Sequence, residues 1–269
     1  MEEVKYITSK SNPLIKYYLE LQKKNTFRKK ENKFVIEGKR ELIIALKSEY
    51  EFDKILFNPN IILESEITDL LKKYNCNSEI ISLGEEAYTK LAYREKTEGI
   101  LAIAKKRDLS LKNLKLPKNP LILIGEQIEK PGNIGAMLRT CDATSVDAFI
   151  LASPLADIYN PNIIRASVGT IFSVPIAIAE SEEVITFLNE NDIPLYAATL
   201  QDSETFYNIN FKNSAAIAVG NEAKGLSKII RQNATKNILI PMMGKIDSLN
   251  VSVSAAFFLS EAMRQRFVE

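Results

Sequence analysis

The sequence predicts an α/β protein built as two modules, and three observations carry that reading. Strand-like and helix-like apolar patterns alternate along almost the whole chain. Leu121-Ile-Leu-Ile124 is a near-continuous apolar run, the composition of a strand covered on both faces in a parallel sheet. Between the two halves, residues 105–119 break the pattern with charge, two-fold alternation and Pro117, with Pro120 just beyond. A length of 269 residues is long for one domain and comfortable for two.

In the first module, Asn12-Pro13 opens a helix that the pattern carries to about Lys29, with proline at a first-turn position where its missing N–H is harmless. Phe34-Val-Ile36 reads as a short strand, and Gly38 leads into a helix bearing Leu42, Ile43, Ala45 and Leu46. Residues 54–57 read as strand, 67–74 as helix and 79–83 as strand. Leu83-Gly-Glu-Glu86 starts another short helix, and residues 99–104 form a last apolar strand. These elements make an α/β domain of residues 1–105, followed by an exposed linker of residues 106–119. The second domain, residues 120–269, continues from its first strand with strands at 148–151, 194–198, 215–219 and 238–240. Helices fill the gaps near 132–145, 161–168, 181–190, 226–233 and 250–266. Such alternation gives a parallel sheet covered on both faces, whose ligands sit at the carboxyl ends of the strands.

Composition narrows the chemistry. The chain contains no histidine, which excludes Ser-His-Asp and Cys-His nucleophile activation and removes the commonest metal ligand. Its two cysteines, Cys76 and Cys141, are too few and too far apart for a zinc site, so no metal is expected. Chemistry is left to Arg, Lys, carboxylates, hydroxyls and amides, or to a bound cofactor. No apolar run approaches the roughly 20 residues that span a bilayer. Met-Glu-Glu-Val-Lys-Tyr at the start is no secretory signal, so a cytoplasmic location is expected.

The net charge of +1 is unevenly spread. From Lys16 to Arg40, nine Lys or Arg residues face three acids, a local charge of +6. Tyr17, Tyr18, Phe27 and Phe34 interleave with them, as on a phosphate-contacting surface. A solvated amphipathic helix with a basic face would give the same pattern.

Three loops follow strands of the second domain. In Glu126-Gln-Ile-Glu-Lys-Pro-Gly-Asn-Ile-Gly-Ala-Met-Leu-Arg-Thr140, Gly132, Asn133 and Gly135 sit where a strand hands over to a helix. Arg139 lies one helical turn beyond Gly135; the plain alternative is a helix-surface salt bridge. Neither the dinucleotide fingerprint nor the phosphate loop is matched. In Ala218-Val-Gly-Asn-Glu-Ala-Lys-Gly-Leu226, Glu222 follows a strand-ending glycine and could bind a ligand hydroxyl, cap the next helix or pair with Arg139. In the third loop, residues 240–253, Ser248 and Asn250 stand at the mouth of a helix with Leu249 and Val251 between them. That is a place for a ligand or an ordinary N-cap.

Together the loops resemble the motifs of the SpoU-type (TrmH-type) 2′-O-ribose RNA methyltransferases of the SPOUT class. Asn133-Ile-Gly135 with Arg139-Thr140 is similar to that family's first motif, and Gly220-Asn-Glu-Ala-Lys-Gly-Leu226 to its second. Ile240-Pro-Met-Met-Gly244 with Ser248-Leu-Asn-Val-Ser-Val253 is similar to the third. The likeness runs from about residue 121 to the end. The first module, chiefly through Phe34-Val-Ile-Glu-Gly38, is similar to the L30e-like RNA-binding domain of ribosomal-RNA members. The resemblance implies a SPOUT domain with a deep trefoil knot near residues 215–255, S-adenosylmethionine bent within it, and a homodimer in which Arg139 reaches the partner's cofactor. By matching positions, Gly220, Ile240, Leu249 and Thr199 would line the cofactor pocket. Asn133, Glu222, Ser248 and Asn250 would orient Arg139 and the ribose. The account of Arg139 as a base conflicts with the permanence of the guanidinium charge, and gripping phosphate or a developing alkoxide is physically easier. Arg28, Lys29, Lys30 and Arg40 are expected to meet RNA, structured ribosomal RNA rather than tRNA. Arg165, in Asn160-Pro-Asn-Ile-Ile-Arg165, is expected on RNA, at the dimer contact or on a plain helix surface.

Overall fold

The computed structural model describes residues 4–93 and 98–267. It divides into two compact units, Met1–Arg107 with Asp157–Ser173, and Asp108–Ala156 with Val174–Glu269.

The first unit is a five-stranded sheet with helices packed on it. Its elements are β1 (Lys5–Ile7), α1 (Pro13–Lys23), α2 (Asn25–Glu31), β2 (Lys33–Glu37), α3 (Lys39–Lys47) and β3 (Phe52–Phe57). Then follow α4 (Glu64–Lys73), β4 (Glu79–Leu83), α5 (Glu85–Leu91) and β5 (Ile100–Lys105). The strand order is β1-β4-β3-β5-β2. β4 runs parallel to β1 and β3, whereas β5 runs antiparallel to β3 and β2. Asn12 caps α1 by accepting the Leu14 N–H at 2.9 Å, with Pro13 in the first turn. Ile15, Tyr18 and Leu21 then face Val35, Leu56, Leu83 and Leu101 in one buried cluster.

Three features of this unit depart from the sequence reading. The helix expected to run to Lys29 breaks at Lys24, whose backbone is extended (φ −112°, ψ 115°). The break lets Arg28 fold back and donate to the carbonyls of Leu21 (2.8 Å) and Gln22 (3.2 Å), acceptors that a helix end leaves open. Second, β1 is a three-residue edge strand with no apolar run to announce it. Third, a segment distant in sequence completes the unit. Asp157 pairs with Arg28 at 2.6 Å, and Tyr159 stacks on Phe34 at 4.4 Å. Phe172 closes against Phe34 and Tyr50 at 5.9 and 5.0 Å. The compact unit is therefore not the contiguous stretch 1–105, because α7 (Pro161–Ala166) and its flanks belong to it.

The second unit is a seven-stranded, wholly parallel sheet. It contains β6 (Leu121–Glu126), α6 (Pro131–Ala143), β7 (Ala148–Ala152), β8 (Ile176–Ala179), α8 (Ser181–Glu190), β9 (Leu195–Ala198) and β10 (Ser203–Thr205). β11 (Ala215–Val219), α9 (Lys228–Gln232), β12 (Lys236–Leu239) and α10 (Val251–Phe267) complete it. The order β10-β12-β9-β11-β6-β7-β8 puts β11 and β6 at the centre, where every residue is buried. β8 and β10, both unforeseen, are the two edge strands. Residues 106–119 are not simply exposed, as expected: Leu111, Leu114 and Leu116 pack on this unit's core, and the Leu109 carbonyl accepts the Ile178 N–H at 2.7 Å. The strip carries these leucines on its inner side, with a single 3-10 turn at Leu111–Asn113 between Leu111 and Leu114 and the lysines exposed. Among the described residues no helix is long and apolar enough to cross a membrane.

Candidate active site

The carboxyl ends of β6, β11 and β12 bring the three loops together. After β6, Gln127 adopts the left-handed conformation (φ 51°), and Pro131 opens α6 with Asn133 in its first turn. After β11 the chain needs glycine: a Cβ on Gly220 would lie 2.4 Å from the Gly225 carbonyl carbon and the Leu226 nitrogen. Asn221 then shapes the loop. Its side-chain oxygen accepts the N–H groups of Ala223 (2.9 Å) and Lys224 (3.1 Å), and its amide donates to the Gln127 carbonyl (3.0 Å). After β12, Asn250 turns the chain into α10 by accepting the Ser252 N–H (3.0 Å) and hydroxyl (2.7 Å).

Asn133 links these loops. Its amide nitrogen donates to the Glu222 carboxylate, and its oxygen accepts from the Asn250 amide at 3.2 Å. Asn133 is buried, whereas Glu222 and Asn250 are exposed. One residue of each loop thus enters a single hydrogen-bonded chain, open to solvent at both ends. Arg139, one turn further along α6, is exposed and has no ion-pair partner among the described residues; neither the helix-surface salt bridge nor a pairing with Glu222 forms.

Beside this chain, the ends of β9 and β12 and the loop after β12 enclose a cavity of about 470 Å³ counted to its open mouth. Thr199, Ile240 and Leu249, three of the four expected cofactor positions, line it, as does Ser248. Gly220 is not on its wall and acts through the close backbone approach instead. Ser248, expected with the amides, faces the cavity, and its hydroxyl donates to the Asp247 carboxylate at 3.5 Å. Asn221, Gln127 and Asp247 went unassigned in the sequence reading; the adjacency of Asn221 to Gly220 at a strand end was the available signal.

Glu126, buried at the end of β6, accepts the Ser227 N–H (2.7 Å) and the hydroxyls of Ser227 (2.6 Å) and Ser181 (2.7 Å). All three contacts pin the starts of α8 and α9, which gives this carboxylate a structural role. Among the described residues no group of three His, Cys, Asp or Glu could hold a metal ion.

Of the expected RNA contacts, Lys29, Lys30 and Arg40 are exposed on the first unit. Arg28 is a correction: it is 2% exposed and its charge is committed to Asp157 and two carbonyls, so it is a structural cation. Arg165 is exposed, belongs to the first unit, and lies over the Tyr93 ring at 4.9 Å.

A parallel sheet with a cavity and a carboxamide–carboxylate chain at its strand ends defines an α/β ligand-binding domain that works by positioning. The chain belongs to the SpoU rRNA methylase family, whose profile matches residues 120–260. The MRM3-like substrate binding domain matches residues 12–102, where the L30e-like module is expected. The chain is 28% identical over 256 residues to the 23S rRNA (guanosine(2553)-2′-O)-methyltransferase RlmP of Bacillus subtilis, covering 95% of this chain and 98% of that one. A solved RNA 2′-O ribose methyltransferase is 35% identical, with a TM-score of 0.82 over 98% of this chain and 100% of the other. The AdoMet-bound rRNA methyltransferase of Sinorhizobium meliloti shares the fold, with a TM-score of 0.90, 24% identity and 99% of both chains covered.

Proposed function

We propose that this chain transfers the methyl group of S-adenosylmethionine to a ribose 2′-hydroxyl of ribosomal RNA. The observation that carries this reading is the Glu222–Asn133–Asn250 chain beside the cavity walled by Thr199, Ile240, Ser248 and Leu249. The donor set fits a nucleoside cofactor: Ile240, Leu249 and Phe258 offer apolar surface to a base, and Thr199 and Ser248 offer hydroxyls. When bound, S-adenosylmethionine supplies a methyl group on a cationic sulfur that departs readily as a thioether.

The task left to the protein is to hold the ribose in line and to stabilise the oxygen as its proton passes to water, which reaches the exposed Glu222 and Asn250. Asn133 keeps Glu222 and Asn250 in fixed orientation, because its one amide serves both. Glu222 and the solvent-facing Asn250 then orient the ribose. Arg139, permanently charged and exposed, grips phosphate and steadies the developing alkoxide. Its reach towards a second copy's cavity fits a homodimer formed through the second unit, and Val253 and Phe257, exposed on α10, suit such a contact. The strand-end loops between residues 215 and 255 would form the deep knot implied by the motifs, and a cytoplasmic setting suits an enzyme of ribosomal RNA.

Lys29, Lys30 and Arg40 lie on the unit matched as a substrate-binding domain and supply cations for phosphate, with Arg165 as a further contact. RlmP, alike along nearly its whole length, is named for 23S rRNA, which favours ribosomal RNA over tRNA. The test is methylation of ribosomal RNA by the purified protein with labelled methyl donor, with 2′-O-methyl sites mapped in cells with and without the gene. Arg139→Ala should abolish transfer and leave donor affinity nearly intact. A wild-type protein that neither binds the donor nor labels ribosomal RNA refutes the reading.

A further inference from the structure

We propose that Asp247 makes the cavity at the ends of β9 and β12 select a cationic ligand over its neutral counterpart. The inference rests on reading this cavity as the S-adenosylmethionine site, and it adds the residue that tells methyl donor from spent product. The donor carries a sulfonium; after transfer the sulfur is a neutral thioether, and the ligand has lost one positive charge while keeping nearly the same shape. An apolar wall senses such a change poorly, whereas a fixed carboxylate senses it directly.

Asp247 is the one charged side chain among the residues lining the cavity. Its neighbours there include the apolar Met242, Leu249 and Phe258 and the hydroxyls of Thr199 and Ser254. Among the described residues no Lys or Arg forms a salt bridge with it, and its recorded polar contact is the Ser248 hydroxyl at 3.5 Å, the limit of a hydrogen bond. Asp247 is exposed, so solvent screens its charge in part, but no cation among the residues lining the cavity offsets it. Placement adds to the case: Asp247 and Ser248 face the cavity, and Asn250 of the same loop enters the amide chain that runs through Asn133 to Glu222. A ligand that engages Asp247 is therefore registered against the loop that carries part of the reaction wall.

The test is calorimetric titration of the full-length protein with S-adenosylmethionine and, separately, S-adenosylhomocysteine. Asp247→Asn removes the charge and keeps the shape, on an exposed loop where folding is not at stake. A charge contact in a partly solvated site predicts roughly a fivefold loss of affinity for the donor and less than about a twofold loss for the product. Asp247→Glu should restore the preference, and added salt should narrow it in the wild type but not in Asp247→Asn. Equal losses for both ligands, or no loss for either, overturn the proposal. Equal losses would mean that the carboxylate meets the ammonium both ligands share. A wild-type protein that binds neither ligand overturns the cofactor reading instead, and that result appears before any substitution is made.

Discussion

Replacing Asp157 with alanine should destabilise the first unit by about 3 kcal/mol. The side chains of Arg28 and Asp157 are only 3% and 6% exposed, with Nε and Oδ2 2.6 Å apart. Removing one member of a buried pair strands the other, at a cost of roughly 3–5 kcal/mol. Arg28 keeps two carbonyl acceptors, Leu21 and Gln22, so the lower end of that range applies. Against a total stability of about 5–15 kcal/mol this is a large share. In a chain of this size it lowers the melting temperature by roughly 6–12 °C. The chain has no tryptophan, so circular dichroism or tyrosine fluorescence in urea is the assay. Arg28→Met with Asp157→Leu should recover much of the loss, since an apolar pair needs no compensation. The same logic predicts that a fragment ending at residue 107 fails to fold, because Phe34 would lose the rings of Tyr159 and Phe172 as well. A loss below about 1 kcal/mol for Asp157→Ala, the value of an exposed pair, would refute the reasoning.

Three further outcomes are expected. Asn133→Ala should reduce the transfer rate by roughly 10²-fold while donor affinity, measured by calorimetry, stays near wild type, because a positioning contact acts on the reacting geometry. Gly220→Ala should cost about 1–3 kcal/mol and blur the cavity, because its Cβ meets backbone that must move; thermal melting and donor titration check both effects together. Cys141 is buried and its thiol is pushed well above the usual range by desolvation, so native protein should titrate at most one thiol, Cys76, with a second appearing on unfolding. Two fast thiols in the native state would contradict that burial.

Strands at the sheet centres were legible because burial on both faces demands continuous apolar runs, as in Leu121-Ile-Leu-Ile124 and Ala215-Ala-Ile-Ala-Val219. The three strands that escaped, β1, β8 and β10, all lie at sheet edges. Edge strands are short and need less apolar content: Ser203-Glu-Thr205 has none, and Lys5-Tyr-Ile7 spans three residues, whereas Ile176-Ala-Ile-Ala179 is wholly apolar and only its four-residue length hid it. The break at Lys24 was equally hidden, since the partner that Arg28 meets beyond it, Asp157, lies 129 residues away. Charge patterning in one segment cannot separate a cation that faces phosphate from one that folds back to cap a helix. Hence Lys29 and Lys30 were read as surface cations and stay on the surface, whereas Arg28 does not.

The site was legible for a different reason. Strand-end placement put Asn133, Glu222 and Asn250 at the carboxyl ends of the strands, but the sequence held no sign of which would touch which. The structure explains why two of them are carboxamides. Position 133 must donate to Glu222 and accept from Asn250 at once, and a carboxamide does this with a donor nitrogen and an acceptor oxygen on separate atoms, each aimed at its own partner. Aspartate there would set a second carboxylate against Glu222 and lose the donor; leucine would leave both partners unpaired. Position 250 has the same double duty, donating to Asn133 and accepting from Ser252. The two amides of the chain carry no proton between groups, and its one carboxylate, Glu222, is exposed to water. On the proposed reading the site orients groups around a reaction whose driving force comes with the methyl donor, so its residues should show their worth in transfer rate far more than in donor affinity.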